Sequence, residues 1–134
     1  MSQVAIRAAL ETALAAITPA LATAWENVPF SPPDTDPYQC VYVRFSAPDN
    51  PEFGARYWER GYMQVTLVYP PSVGDKTART RAMLVRAAFP RGRTISSGGI
   101  DARISDTPEV RGGAVENNLW TVNVFIHFES QIEA

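Results

Sequence analysis

The run from Leu119 to Phe128 alternates without a break, with Trp120, Val122, Val124, Ile126 and Phe128 on one side and Thr121, Asn123, Phe125 and His127 on the other. Successive side chains of a strand point to opposite faces, so a period of two demands a strand with one buried face. Such a strand belongs to a sheet, and the rest of the chain must supply its neighbours and its cover. Two segments read as cover. Ile6, Leu10, Leu14 and Ile17 recur at helical spacing and predict a helix from Gln3 to Ile17 with Ser2 as N-cap. Ala78, Ala82, Val85 and Phe89 do the same for a second helix, which Pro90 and Gly92 end.

Two further stretches carry the strand period. Val41, Val43 and Phe45 alternate with Cys40, Tyr42 and Arg44, and Met63, Val65, Leu67 and Tyr69 mark the core face of a strand over Arg56 to Tyr69, where Gly61 is read as a bend or bulge. A short strand is expected within Thr23 to Val28, and weaker ones at residues 93–95, 100–104 and 109–111, separated by a hairpin turn at Ser96 to Gly99 and by Gly112-Gly113. The order of helix, three strands, helix, strands implies one α+β domain over residues 1–134. Its sheet is expected to be mostly antiparallel, with mixed pairing left open and two helices packed on one face. Residues 46–60 are expected to form a mobile loop. Its prolines, Asp49-Asn50 and Gly54 offer no local backbone pairing, and Tyr57 and Trp58 place apolar area at its base as a contact surface.

The chain has 134 residues, 46% hydrophobic and 19% charged, enough to bury a core and too few for two domains. Arg7 and Glu11 interrupt the Ala/Leu-rich start, so no membrane helix is expected, and the N-terminus lacks a secretory pattern, which points to the cytoplasm. Cys40 is the single cysteine and forms no internal disulfide.

Catalytic constellations are hard to assemble from these residues. Cys40 and His127 are the only thiol and imidazole, and they would have to meet in space to act as nucleophile and base. Asp34 and Asp36, with Asp75 or Asp106, lack the glycine-bearing loop of a hard-metal site. Gly74-Asp75-Lys76-Thr77 lacks the glycines of a phosphate loop. No enzyme, cofactor or metal is expected, which favours a binding or structural protein.

Charge is unevenly placed. Lys76, Arg79, Arg81, Arg86, Arg91 and Arg93 stand in a segment without acids, whereas the remaining 6 basic and 14 acidic residues give a negative body. Arg79 and Arg86 align on one flank of the second helix. Such a segment can dock on the acidic face of a neighbouring copy, or it can bind nucleic acid phosphates. The acidic pI of about 5.3 and the lack of interleaved aromatics weigh against the second.

The segment Trp25-Glu26-Asn27-Val28-Pro29-Phe30-Ser31-Pro32-Pro33, the strand of Tyr42, and Gly61 leading to Val65 through Pro70 and Gly74 carry a resemblance. The chain resembles the phage and prophage tail terminator (tail-completion) family. The resemblance implies an α+β subunit that assembles into a ring, usually a hexamer, on the end of a tail tube, stops its polymerisation and presents the surface that joins the head connector. It implies no enzyme and no cofactor. Its implied partners are other copies, the tail-tube protein and the head-connector protein, with no membrane and no specific nucleic acid. The free chain can be monomeric if the tube supplies most of the ring's stability. The implied location is the host cytoplasm during assembly, then the virion tail. In this reading Lys76, Arg79, Arg86, Arg91, Arg93, Tyr57 and Trp58 form the subunit or tube interface. Trp25, Asn27, Phe30, Pro32 and Pro33 form a structural motif that fixes the passage from the first strand to the second.

Overall fold

A computed structural model describes residues 2–33, 36–51, 53–71, 75–116 and 119–133. Its elements are α1 (Ser2–Ala15), β1 (Ala22–Ala24), β2 (Tyr38–Phe45), β3 (Tyr57–Tyr69), α2 (Lys76–Ala88), β4 (Thr94–Ser97), β5 (Ile100–Ile104), β6 (Glu109–Glu116) and β7 (Leu119–Ile132). Seven strands form one sheet in the order β1-β2-β3-β7-β5-β4, with β6 also on β7. The sheet is mixed, because β1 runs parallel to β2 while every other pair is antiparallel.

The period of two dictates the core. Val41 pairs with Val65 and Val65 with Val124, while Val43 pairs with Met63 and Met63 with Ile126, so the alternating apolar residues of three strands share one face. All six are buried in one cluster that also takes Ile6, Leu10 and Leu14 of α1 and Ala78, Ala82 and Val85 of α2. The hydrophobic effect, at roughly 25 cal/mol per Å² of apolar area removed from water, drives this layer together.

Several element ends differ from expectation. Helix α1 closes at Ala15, two residues early, and Ser2 is its first helical residue rather than a cap; its hydroxyl points to Glu59 Oε2 at 3.4 Å. Strand β6 runs on to Glu116 because it pairs with the first half of β7, and β7 runs on to Ile132 because its second half pairs with β3 as far as Tyr57. Gly112-Gly113 therefore lies inside β6, at a register shift between Arg111 and Ala114, and separates nothing. The β4–β5 turn is tighter than Ser96 to Gly99: Ser97 pairs with Ile100, and Gly98 and Gly99 alone make the loop with φ of 58° and 79°. Two consecutive positive φ angles suit a two-residue hairpin and explain both glycines.

Gly61 makes no bulge. The register runs unbroken from Tyr38–Val68 to Phe45–Gly61, and Gly61 also pairs with Phe128. The Phe45 and Phe128 rings flanking it meet edge-on, 5.5 Å apart at 74°. The absent side chain leaves room for that contact.

Candidate functional site

The basic segment is largely engaged within the subunit. Arg79 Nε bonds Asp75 Oδ2 at 3.1 Å, Arg86 Nε donates to the Pro108 carbonyl at 3.0 Å, and Arg93 donates to the Ala88 carbonyl while its guanidinium lies 5.8 Å over the Phe89 ring. Arg81 is buried and donates to the Pro19 carbonyl; burial lowers its pKa from the usual arginine value. Lys76 and Arg91 stand exposed. Arginines already bonded to carbonyls offer fewer forks to phosphate, so the geometry gives nucleic-acid binding no specific support. Reversing Arg79 and Arg86 together would disturb intramolecular contacts as well as any docking face.

The start of α2 is tied down by a side chain. Asp75 precedes the helix, but its carboxylate makes no cap; Oδ1 accepts from Trp120 Nε1 at 2.9 Å and Oδ2 takes Arg79. The Trp120 N–H, together with Arg79, outweighs desolvation and holds the Asp75 carboxyl below its ordinary pKa. This carboxylate holds the helix in place and leaves no phosphate loop; Gly74 itself lies outside the described residues.

The Trp25 to Pro33 segment works through a residue that sequence reasoning passed over. After β1 ends, Glu26 Oε1 accepts the Val43 N–H at 2.6 Å and Arg7 Nη1 at 3.2 Å, while Oε2 takes Arg44 Nη1 at 2.7 Å. The carboxylate thus replaces a backbone partner on the edge of β2. Burial opposes its charge, but the Val43 N–H, Arg44 and Arg7 prevail and hold its pKa below the ordinary value. Asn27 takes φ 58°, a left-handed position that asparagine tolerates. Trp25 packs against the core, Phe30 lies 5.5 Å from the Tyr38 ring, and Pro32 and Pro33 line a cleft with Tyr38, Tyr69 and Pro70. Glu26→Ala is expected to cost about 2 kcal/mol at neutral pH, since it leaves the Val43 N–H without its acceptor and removes the carboxylate shared by Arg7 and Arg44. A carboxyl with a lowered folded pKa stabilises above its unfolded pKa of about 4.3 and loses that effect as pH falls through the folded value. Urea unfolding of parent and variant should therefore differ at pH 7 and converge in acid.

The face opposite the core is polar and aromatic. Thr66 Oγ1 donates to Asn123 Oδ1 at 2.7 Å beside Gln64, Tyr62 contacts the rings of Phe125 and His127, and Arg111 lies 4.4 Å over Phe125. Cys40 and His127 both lie here, yet they do not meet. Cys40 pairs through Thr66 to Asn123, whereas His127 pairs with Tyr62, four residues along and two strands across, roughly 16 Å apart. Burial raises the Cys40 thiol pKa, the opposite of activation. Among the described residues no three His, Cys, Asp or Glu side chains converge as a metal site; Asp34 lies outside them.

Residues 57–60 belong to β3, so the loop expected over 46–60 is shorter. Its backbone also pairs, contrary to expectation: Asp49 and Trp58 exchange N–H···O bonds at 3.0 and 2.9 Å, and Arg60 bonds Asp49 Oδ2 at 2.6 Å while lying over the Trp58 ring. Tyr57 and Trp58, as neighbours on a strand, point to opposite faces. Tyr57 joins Glu59 beside the first turn of α1, where Ser2, Val4, Pro48 and Asn50 complete a groove. Glu59 went unremarked in the sequence, although stepping back by twos from Met63 places it on the buried face.

No helix among the described residues is long and apolar enough to cross a membrane. No curated protein matches the chain. One solved structure matches 100% of this chain and 99% of its own at 30% identity and a TM-score of 0.80, so the fold is shared from end to end. The family model for the phage tail terminator protein matches residues 5–128, from within α1 to within β7, and so takes in both edges of the sheet and α2. The chain belongs to the phage tail terminator family and is a structural protein of a phage tail.

Proposed function

We propose that this subunit assembles as a ring on the end of a tail tube, stops tube polymerisation and presents the surface that joins the head connector. The family match over residues 5–128 carries the reading. The uneven charge is consistent with it, since a ring needs two different patches that fit head to tail. A hexamer is the stoichiometry this reading implies. The protein folds in the host cytoplasm, acts on other copies, tube protein and connector, and ends in the virion tail. It performs no catalysis and needs no cofactor. Deleting its gene from the phage that encodes it should yield tubes of uncontrolled length and heads without tails, seen by electron microscopy, and supplying the chain in trans should restore both. Tails of normal length joined to heads in the deletion would refute the reading.

A further inference from the structure

Among the described residues, Glu59 and Lys76 are two charges with no ion-pair counterpart in their own subunit. Glu59 is 3% exposed; its Oε2 has only the Ser2 hydroxyl at 3.4 Å, and its Oε1 has no hydrogen-bond partner. An ionised carboxylate removed from water needs a cation or several donors. Among the described residues none is supplied. Glu59 instead forms the floor of the groove at the first turn of α1, which continues past Ala5 and Ala8 to Ile100 and Ile132, with Glu133 at its rim. The walls of the groove mix apolar side chains with Ser2, Gln3 and Asn50, and its charges are acidic.

The second charge is Lys76, the chain's one lysine. It is exposed on the first residue of α2, where the positive end of the helix dipole disfavours a cation. The adjacent Asp75 carboxylate is occupied by Trp120 and Arg79, and no acid pairs with Lys76 among the described residues. The two charges cannot meet within one chain. Trp120 ties the start of α2 to the far end of β3, since Trp120 pairs with Tyr69, and the strand from Glu59 to Tyr69 spans roughly 33 Å.

We infer that the groove at the first turn of α1 receives the first turn of α2 from a second copy, with the Lys76 ammonium against the Glu59 carboxylate at the groove floor. The inference rests on the ring reading and names its contact. A lysine suits the groove because its four-carbon stem can lie along Val4, Pro48 and the Tyr57 ring while the ammonium approaches the carboxylate. Two complementary sites at opposite ends of one subunit make a head-to-tail contact, the kind that repeats and closes into a ring.

The contact predicts an unusual pair of effects for Glu59→Gln. The isolated variant should melt a few degrees higher than the parent, because a buried unpaired charge is gone, yet need at least tenfold more chain to cap half of a preparation of isolated tube ends. Lys76→Gln should show the same capping loss with an unchanged melting temperature, and the double variant should lose no more than either single one. An equimolar mixture of the two single variants should cap better than either alone, since each intact groove then meets an intact lysine at every second contact. A lower melting temperature for Glu59→Gln would overturn the inference by making the carboxylate part of the fold's own support. Additive losses, or a mixture no better than its components, would overturn it as well. The parent chain in the same assay separates the two levels: capping by the parent with unaffected variants sinks the contact alone, whereas a parent that caps nothing sinks the terminator reading.

Discussion

Gly61→Val should be the most damaging single substitution on the sheet, with a loss of about 4 kcal/mol or more, a large part of the 5–15 kcal/mol that holds a typical domain together. A Cβ at this position would stand 2.0 Å from the Arg44 carbonyl oxygen and 3.0 Å from Phe128 Cζ. A ring end can swing away, but the carbonyl is backbone in the strand next door and cannot move without opening the β2–β3 ladder. Alanine already carries the offending carbon, so Gly61→Ala should also be strongly destabilising. Gly112→Ala is the control, since a Cβ there meets nothing within 4 Å. Denaturant unfolding of the three variants checks the argument. A Gly61→Ala protein within 1 kcal/mol of the parent would show that the strands can part at no great cost.

Gly61 also marks the limit of what the sequence makes legible. The period of two identified β2, β3 and β7, and with them the core face, because burial on one side alone leaves its signature residue by residue. The helical stripes of α1 and α2 were legible for the same reason. What a period cannot show is the identity of the neighbour across the ladder. Gly61 was open to reading as a bulge because its reason, the edge-on contact of Phe45 and Phe128, joins residues 45 and 128. Arg81 counted as part of a basic surface, yet it lies three residues after Ala78 and four before Val85, on the buried face of α2. Here the charge pattern outweighed the period, and the fold followed the period. The period of two does place Glu59 on the buried face, but the partners of Glu26, and the lack of them for Glu59, are set by distant segments and no local spacing announces those.

Gly113→Ala should cost about 3 kcal/mol through a different route, by dislodging a side chain. A Cβ on Gly113 would fall 2.0 Å from Trp120 Cζ2 and 2.3 Å from Cε2, far closer than van der Waals contact with the indole allows. The ring must therefore leave its place against β6. Its N–H then loses Asp75 Oδ1, the bond that anchors the start of α2 to the sheet. The damage should spread from the hairpin to the helix: amides in the first turns of α2 should exchange faster while those of β3 and the centre of β7 stay protected. The Asp75 carboxyl, held low by the Trp120 N–H first and by Arg79 next, sets the pH dependence. A lowered folded pKa means that this anchor stabilises above about pH 4 and weakens as pH falls through the folded value, so acid should reproduce in the parent the loosening that Gly113→Ala causes at neutrality. Lys76 is the first residue of the helix end that is released, which links this stability effect to assembly. If α2 amides in Gly113→Ala were as protected as in the parent, the indole would have found another seat with the helix still fixed, and the anchoring role of Trp120 would be wrong.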